Sequence, residues 1–348
     1  MPNPNRKLFL PTLLITLIFV FLLDLALGSV HIPLSEVITT LLGGQAAKTS
    51  WTNIILKLRL PKALTASLAG AALGVSGLQM QTLFRNPLAG PFVLGISSGA
   101  SLGVALVVLT AIAIGNPMFL KDLGILGDFT LIVAASLGAA LTLGIVLIVA
   151  RRVQDTTTLL ILGLLFGYAT SAVVNILLGF SSSEQIQSYL IWTFGSFAGV
   201  SWNQMTVLAP VVLLGLIVAL VLSKPLNALL LGESYARSLG LTVQKARFWI
   251  ITSASVLAGT ITAFCGPIAF LGVAIPHLCR SLFNTSDHRV LIPAVTMMGG
   301  ILALIADLIS QLPGSQIVLP LNAVTALIGT PVVTWIVLRR NSQKSFPT

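Results

Sequence analysis

The sequence predicts an all-α polytopic membrane protein: one transmembrane domain over residues 1–348, ten transmembrane helices, and both termini in the cytoplasm. Three observations predict it. The chain is 56% hydrophobic and only 8% charged, with a mean hydropathy of +1.01, whereas a soluble domain carries roughly 25% charge. Apolar segments of about 20 residues recur along the whole length, each able to cross roughly 30 Å of hydrocarbon as a helix. Threaded from an inside N-terminus, the ten segments put fourteen of the nineteen Lys and Arg residues on the inner face and five on the outer.

Residues 1–7 form a polar lead containing Arg6 and Lys7, and the first span is Leu8 to Leu23. Small residues from Ala26 to Ser29 would suit a cleaved signal peptide, but the run is long for a signal's apolar core. Residues 28–62 are mixed, with Leu34 to Leu42 amphipathic and Lys48, Lys57, Arg59 and Lys62 following. The second span, Ala63 to Phe84, is rich in Gly, Ala and Ser, which let helix backbones approach closely in lipid. After the turn Arg85-Asn86-Pro87 come the third span from Pro91 to Ile114 and a loop from Gly115 to Asp128 with Lys121 and Asp122. The fourth and fifth spans run from Phe129 to Ala150 and from Thr157 to Phe180, separated by Arg151, Arg152 and Asp155. A polar, aromatic segment with Trp192 and Trp202 leads to the sixth, Met205 to Val221. The last four are Phe248 to Phe264, Ile268 to Phe283, Val290 to Leu308 and Leu319 to Leu338, with Gly266-Pro267 breaking the first pair and Arg339, Arg340 and Lys344 at the end.

Several chemistries are excluded or demoted by what the motifs need. The basic residues sit at the ends of apolar runs and do not cluster with aromatics, which argues against a nucleic-acid partner. No G-x-x-x-x-G-K-[ST] occurs, so the chain carries no P-loop; Cys265 and Cys279 lack metal-ligand spacing and read as small core residues. Residues 95–99 and 99–103 both match G-x-S-x-G, which in a hydrolase needs a strand-to-helix elbow and a His partner. Here the pattern lies in a small-residue membrane helix, so an intramembrane serine protease using Ser97 or Ser101 with His277 is the remote alternative to helix packing or a polar pathway lining. Asp24, Asp307 and Arg280 fall near span ends, so no line of titrating groups crosses the midplane for proton or sodium coupling. A neutral pathway of Gly, Ser, Thr and Asn suits a bulky solute, driven from elsewhere.

One stretch departs from this apolar character. Residues 232–247, GESYARSLGLTVQKAR, hold Glu233, Arg237, Lys245 and Arg247, and Ala236, Leu239 and Gly240 recur at helical spacing. The charge map puts the stretch in the cytoplasm, where it is either a contact element for another protein or a solvated loop joining two spans.

Arg59-Leu60-Pro61-Lys62, RNPLAGPFVLGISSGAS (85–101), GESYARSLGL (232–241), GPIAFLGVAIPHLCR (266–280), Asp287-His288-Arg289 and LPLNAVTALIGTPVV (319–333) together resemble the FecCD-type permease subunits of ABC importers for ferric siderophores, haem and cobalamin. The resemblance spans almost the whole chain. It implies a type II importer in the bacterial plasma membrane, with two permease subunits, two cytoplasmic ATPase subunits and an extracytoplasmic solute-binding protein. This chain would then be a transporter subunit and not an enzyme, with no cofactor or metal of its own and with ATP and Mg on the ATPase. By the same resemblance, residues about 232–243 are the coupling helices: Gly232, Glu233, Ser234, Ala236, Arg237, Leu239 and Gly240, with Glu233 and Arg237 as polar contacts and Ala236 and Leu239 turned to the ATPase. Thr156 and Thr157 match the inner gate. Arg59 and Lys62, assisted by Lys57, match the basic positions that dock the binding protein; Gln311 stands where a third basic residue is expected, and Asn322 where Gly is. The expected cargo is a ferric siderophore, with haem or cobalamin as the alternative.

Overall fold

The computed structural model describes residues 6–110, 125–153, 155–314 and 317–344. The polar lead before Arg6 and most of the loop expected from Gly115, including Lys121 and Asp122, lie outside them. The described elements are all helical: α1 (Arg6–Ala26), α2 (Leu34–Leu41), α3 (Thr49–Leu83), α4 (Ile96–Thr110), α5 (Ile125–Arg152), α6 (Thr156–Gly179) and α7 (Ser183–Thr193), followed by α8 (Trp202–Val221), α9 (Ser223–Leu230), α10 (Glu233–Ser238), α11 (Val243–Cys265), α12 (Leu271–Phe283), α13 (His288–Gln311) and α14 (Leu321–Lys344). Among the described residues, seven helices are long and apolar enough to cross a membrane: α1, α3, α5, α6, α8, α11 and α13. Shorter apolar helices, Ile96–Val108, Leu271–Phe283 and Leu321–Trp335, occupy the third, eighth and tenth expected segments.

The short ones are short for local reasons. Before α4 the chain turns through residues 91–95, with Gly95 at φ +74°. Between α11 and α12 it unwinds from Gly266 (φ +75°) to Phe270 (φ +66°). Backbone groups freed in an apolar surrounding need partners. Ser196 N–H donates to the Cys265 carbonyl (2.8 Å), and Ala269 N–H donates to Asn322 Oδ1 (3.0 Å). The Asn at the expected Gly position therefore has a structural consequence: it satisfies an unwound strand of backbone that glycine would leave bare.

α3 is longer than the expected second span. It continues outward to Thr49 through a π-helical stretch, Ile54–Arg59. The cause is Pro61, which lacks an N–H and crowds the preceding turn, so the hydrogen-bond ladder widens just before it. From Ala63 to Leu83 the helix is almost entirely buried, packed against α8, α11, α12 and α13. Glycines permit the approach: a Cβ on Gly70 would sit 1.9 Å from the Gly299 carbonyl oxygen, and one on Gly77 1.7 Å from that of Gly272. α4 meets α5 the same way, with a Cβ on Gly138 falling 2.0 Å from the Gly99 oxygen. The G-x-S-x-G glycines are thus a packing seam. At the periphery, α6 leaves most of its apolar surface uncovered by this chain.

Candidate coupling, gate and docking sites

Gly232 opens α10 at φ +113°, and a Cβ there would fall 2.9 Å from the Arg85 guanidinium. That guanidinium donates to the Leu229 carbonyl (3.2 Å), tying the Arg85-Asn86-Pro87 turn to the α9–α10 corner. The far end closes in a Schellman motif: Leu241 N–H donates to Ala236 O (3.0 Å), Gly240 N–H to Arg237 O (2.9 Å), and Gly240 takes the left-handed φ of +84°. Both glycines of the stretch therefore serve geometry. Glu233 faces two cations. Arg237 lies 3.4 Å away one turn on, exposed, whereas buried Arg247 contacts it at 2.6 Å and also donates to the Val153 carbonyl (3.1 Å). A cleft of 320 Å³ lies alongside, lined by Ala150, Val153, Arg237, Thr242, Gln244 and Arg247.

Val153 stands at the turn into α6. Asp155 caps that helix, its Oδ2 accepting from Thr158 N–H and Thr158 Oγ1, both at 2.7 Å. These bonds hold the exposed carboxyl below its usual pKa of 3.8. Thr156 and Thr157 occupy the first turn, half-buried and exposed respectively. Contacts thus run from Glu233 through Arg247 to the Val153 carbonyl, two residues before the Asp155 cap of α6 and the expected gate residues.

At the opposite ends of the spans, charges are turned inward. Arg59 donates to the carbonyls of Leu25 (2.7 Å), Ala26 (2.9 Å) and Val30, closing off the C-terminus of α1. Lys62 pairs with Asp307 at 2.7 Å, and Gln311 Nε2 donates to the same Asp307 Oδ2 at 2.7 Å. Asp24 is fully buried beside them. Lys57 alone of the three expected docking cations is exposed.

A model of the FecCD transport family matches residues 16–339. The chain belongs to the FecCD transport family. Among relatives, it is 38% identical over 336 residues to the vitamin B12 import system permease protein BtuC of Klebsiella pneumoniae, covering 96% of this chain and 94% of that one. It is 32% identical over 329 residues to the uncharacterized ABC transporter permease protein YvrB of Bacillus subtilis, covering 92% and 90%. A solved structure, an inward-facing conformation of a metal-chelate type ABC transporter, superposes with a TM-score of 0.82 at 27% identity, covering 95% of this chain and 98% of that one. As a FecCD chain it is a multi-pass transporter membrane subunit, not an enzyme, and ATP is hydrolysed on a separate subunit.

Within this family frame, three expected roles change. Ala236 has no exposed surface, so the expected turn toward an ATPase is not open to it, whereas Leu239 is 61% exposed. Tyr235, 52% exposed, stands one turn before Leu239 at i, i+4 spacing, a signal present in the sequence, and Leu231, 64% exposed, precedes the Gly232 corner. Arg247 is a buried structural contact and not a mere positive anchor on the inner face. Arg59 and Lys62 are internally paired and buried, and of the three expected docking cations only Lys57 is exposed. The serine-protease alternative finds no assembled site: Ser97 and Ser101 line a cavity without histidine, and His277 Nε2 lies 2.7 Å from the Pro87 carbonyl.

Proposed function

We propose that this chain is the permease subunit of an ATP-driven importer of vitamin B12 or a close corrinoid. The observation that carries the reading is the 38% identity along nearly the whole chain to a B12 import permease. The expected siderophore cargo yields to what was its alternative. A ferric chelate stays as the second reading, favoured by the superposition on a metal-chelate type transporter. In this proposal ten spans cross a bacterial plasma membrane with both termini inside, and two permease subunits meet two ATPase subunits and an extracytoplasmic binding protein. ATP and Mg reside on the ATPase, and this chain holds no cofactor or metal. Leu231, Ser234, Tyr235, Arg237 and Leu239 meet the ATPase, Gly232 and Gly240 shape the corner, and Glu233 links it through Arg247 to a gate at Thr156 and Thr157. Lys57 contributes to binding-protein docking, where charge sets rate and register more than affinity.

Cells lacking their own B12 permease, supplied with this chain and its ATPase and binding protein, are expected to accumulate radiolabelled cyanocobalamin in an ATP-dependent way. Accumulation of a ferric trihydroxamate chelate in its place would transfer the conclusion to the second reading.

A further inference from the structure

α6 crosses the molecule with two kinds of exposed surface. Leu165, Val173, Ile176 and Phe180 make an apolar sector suited to lipid or a second permease. Tyr168, Ser171 and Asn175 fall on a separate line, at steps of three and four residues, whereas Ile161 and Leu164 keep the same face apolar nearer the start of the helix. Asn175 stands eighteen residues, about 27 Å, from Thr157 at the proposed gate, so the polar group lies toward the other end of the helix.

The line runs into a cavity of 180 Å³ between α4, α6 and α7. Ser97, Ser98 and Ser101 enter from α4, Ser171 and Asn175 from α6, and Tyr189 from α7. Tyr189 lines the cavity beside Ser101, and Ser97, Ser98, Ser171 and Asn175 have no side-chain hydrogen-bond partner among the described residues. The walls are held close: a Cβ on Gly95 of the α4 lead would lie 3.2 Å from the Gly163 oxygen of α6. Val174 and Leu178 complete the lining, and no ionisable acid or base other than the Tyr189 phenol joins it, so its polar groups are neutral donors and acceptors. We propose that this cavity is a hydrogen-bonding station for neutral amide, hydroxyl or carbonyl arms of the transported solute. Its volume admits one such arm and not a whole corrinoid, whose rim is set with amide side chains. The inference rests on the importer reading and names residues of the pathway that reading requires.

The test uses the assembled transporter in proteoliposomes. Asn175→Cys is expected to react with a charged, water-soluble methanethiosulfonate several times faster than Val173→Cys on the apolar sector. Equal rates would overturn the station and leave the importer reading standing. Asn175→Leu combined with Ser171→Ala is expected to lower cyanocobalamin moved per ATP hydrolysed about tenfold, as losing two neutral hydrogen bonds implies, with Asn175→Gln keeping at least about half. Unchanged solute per ATP, or a loss explained by poor recovery of the two-permease complex, would also overturn it, the second outcome assigning the polar line to the subunit interface. If the wild-type complex moves no cyanocobalamin while the labelling contrast holds, the cargo assignment fails and the station stands.

Discussion

At the scale of single residues, the decisive group at the α10 corner is Arg247. It contacts Glu233 at 2.6 Å and the Val153 carbonyl at 3.1 Å with almost no exposure. Glu233→Gln removes the carboxylate charge that faces this buried cation and is expected to cost about 2–3 kcal/mol, below a fully buried pair because Glu233 keeps part of its surface in water. Reversing exposed Arg237 to Glu should instead leave thermal stability nearly unchanged while abolishing co-purification of the ATPase. Fluorescence-detected melting with pull-down separates the two; equal melting loss in both variants would remove the distinction. Asp155 gives a pH signature. Its carboxyl is held down by two bonds from Thr158, so its native pKa lies below 3.8 and the cap contributes fully above that value. The contribution fades as pH falls through the depressed native value. Asp155→Ala should therefore melt below wild type at pH 7, and the two curves should converge as pH drops below about 4. A melting difference that persists undiminished at pH 3 would mean that the charge is not what caps α6.

At the scale of elements, the outer network locks three helices that are far apart in sequence. Arg59 and Lys62 stand on α3, Asp24 on α1, and Asp307 with Gln311 on α13. Lys62→Met leaves Asp307 buried beside Asp24 with Gln311 as its donor, at a cost of about 3–5 kcal/mol, whereas Lys62→Met with Asp307→Leu should recover most of it. Docking of the binding protein should respond to Lys57→Glu, most at low salt, with no change in melting. Melting of the three variants and surface-binding titrations check both halves; a double variant no better than the single would show that packing, not charge, is what Lys62 supplies. This is also where the sequence was hardest to read. Basic residues before an apolar run look like an interface, because nothing local reveals that their acids arrive from residues 24 and 307. The same blindness put Ala236 on the wrong face: the period of α10 was legible, but which side its neighbours cover depends on α11.

At the scale of the whole molecule, the run of apolar segments was legible because hydropathy is a property of each segment alone, and every expected span has a helix in the described residues. What the pattern hides is backbone: the left-handed Phe270, the unwound Gly266 segment and the π-helical lead of α3 leave no hydrophobic trace. Packing follows a further rule that composition announced and contacts locate. α3 is buried along its length because glycines let other helices touch its backbone, so each glycine's importance is set by what lies over it. Gly77 faces the Gly272 oxygen at 1.7 Å from a built Cβ, backbone against backbone, with no flexible atom to yield. Gly144, on α5, has nothing within 4 Å. Gly77→Ala must push α12 away from α3 and should cost roughly 1–3 kcal/mol, as overpacking does. Gly144→Ala should be neutral or slightly stabilising through better helix propensity, by up to about 1 kcal/mol. Because α12 also carries His277 and Arg280 against the Pro87 and Gln81 positions, the Gly77 change should loosen the Arg85-Asn86-Pro87 turn and, through Arg85, the α9–α10 corner. Hydrogen exchange in detergent is expected to rise across residues 85–90 and 229–240 in Gly77→Ala and to stay at the wild-type level in Gly144→Ala. Exchange confined to α12 alone would show that the coupling corner is held independently of the helix packing behind it.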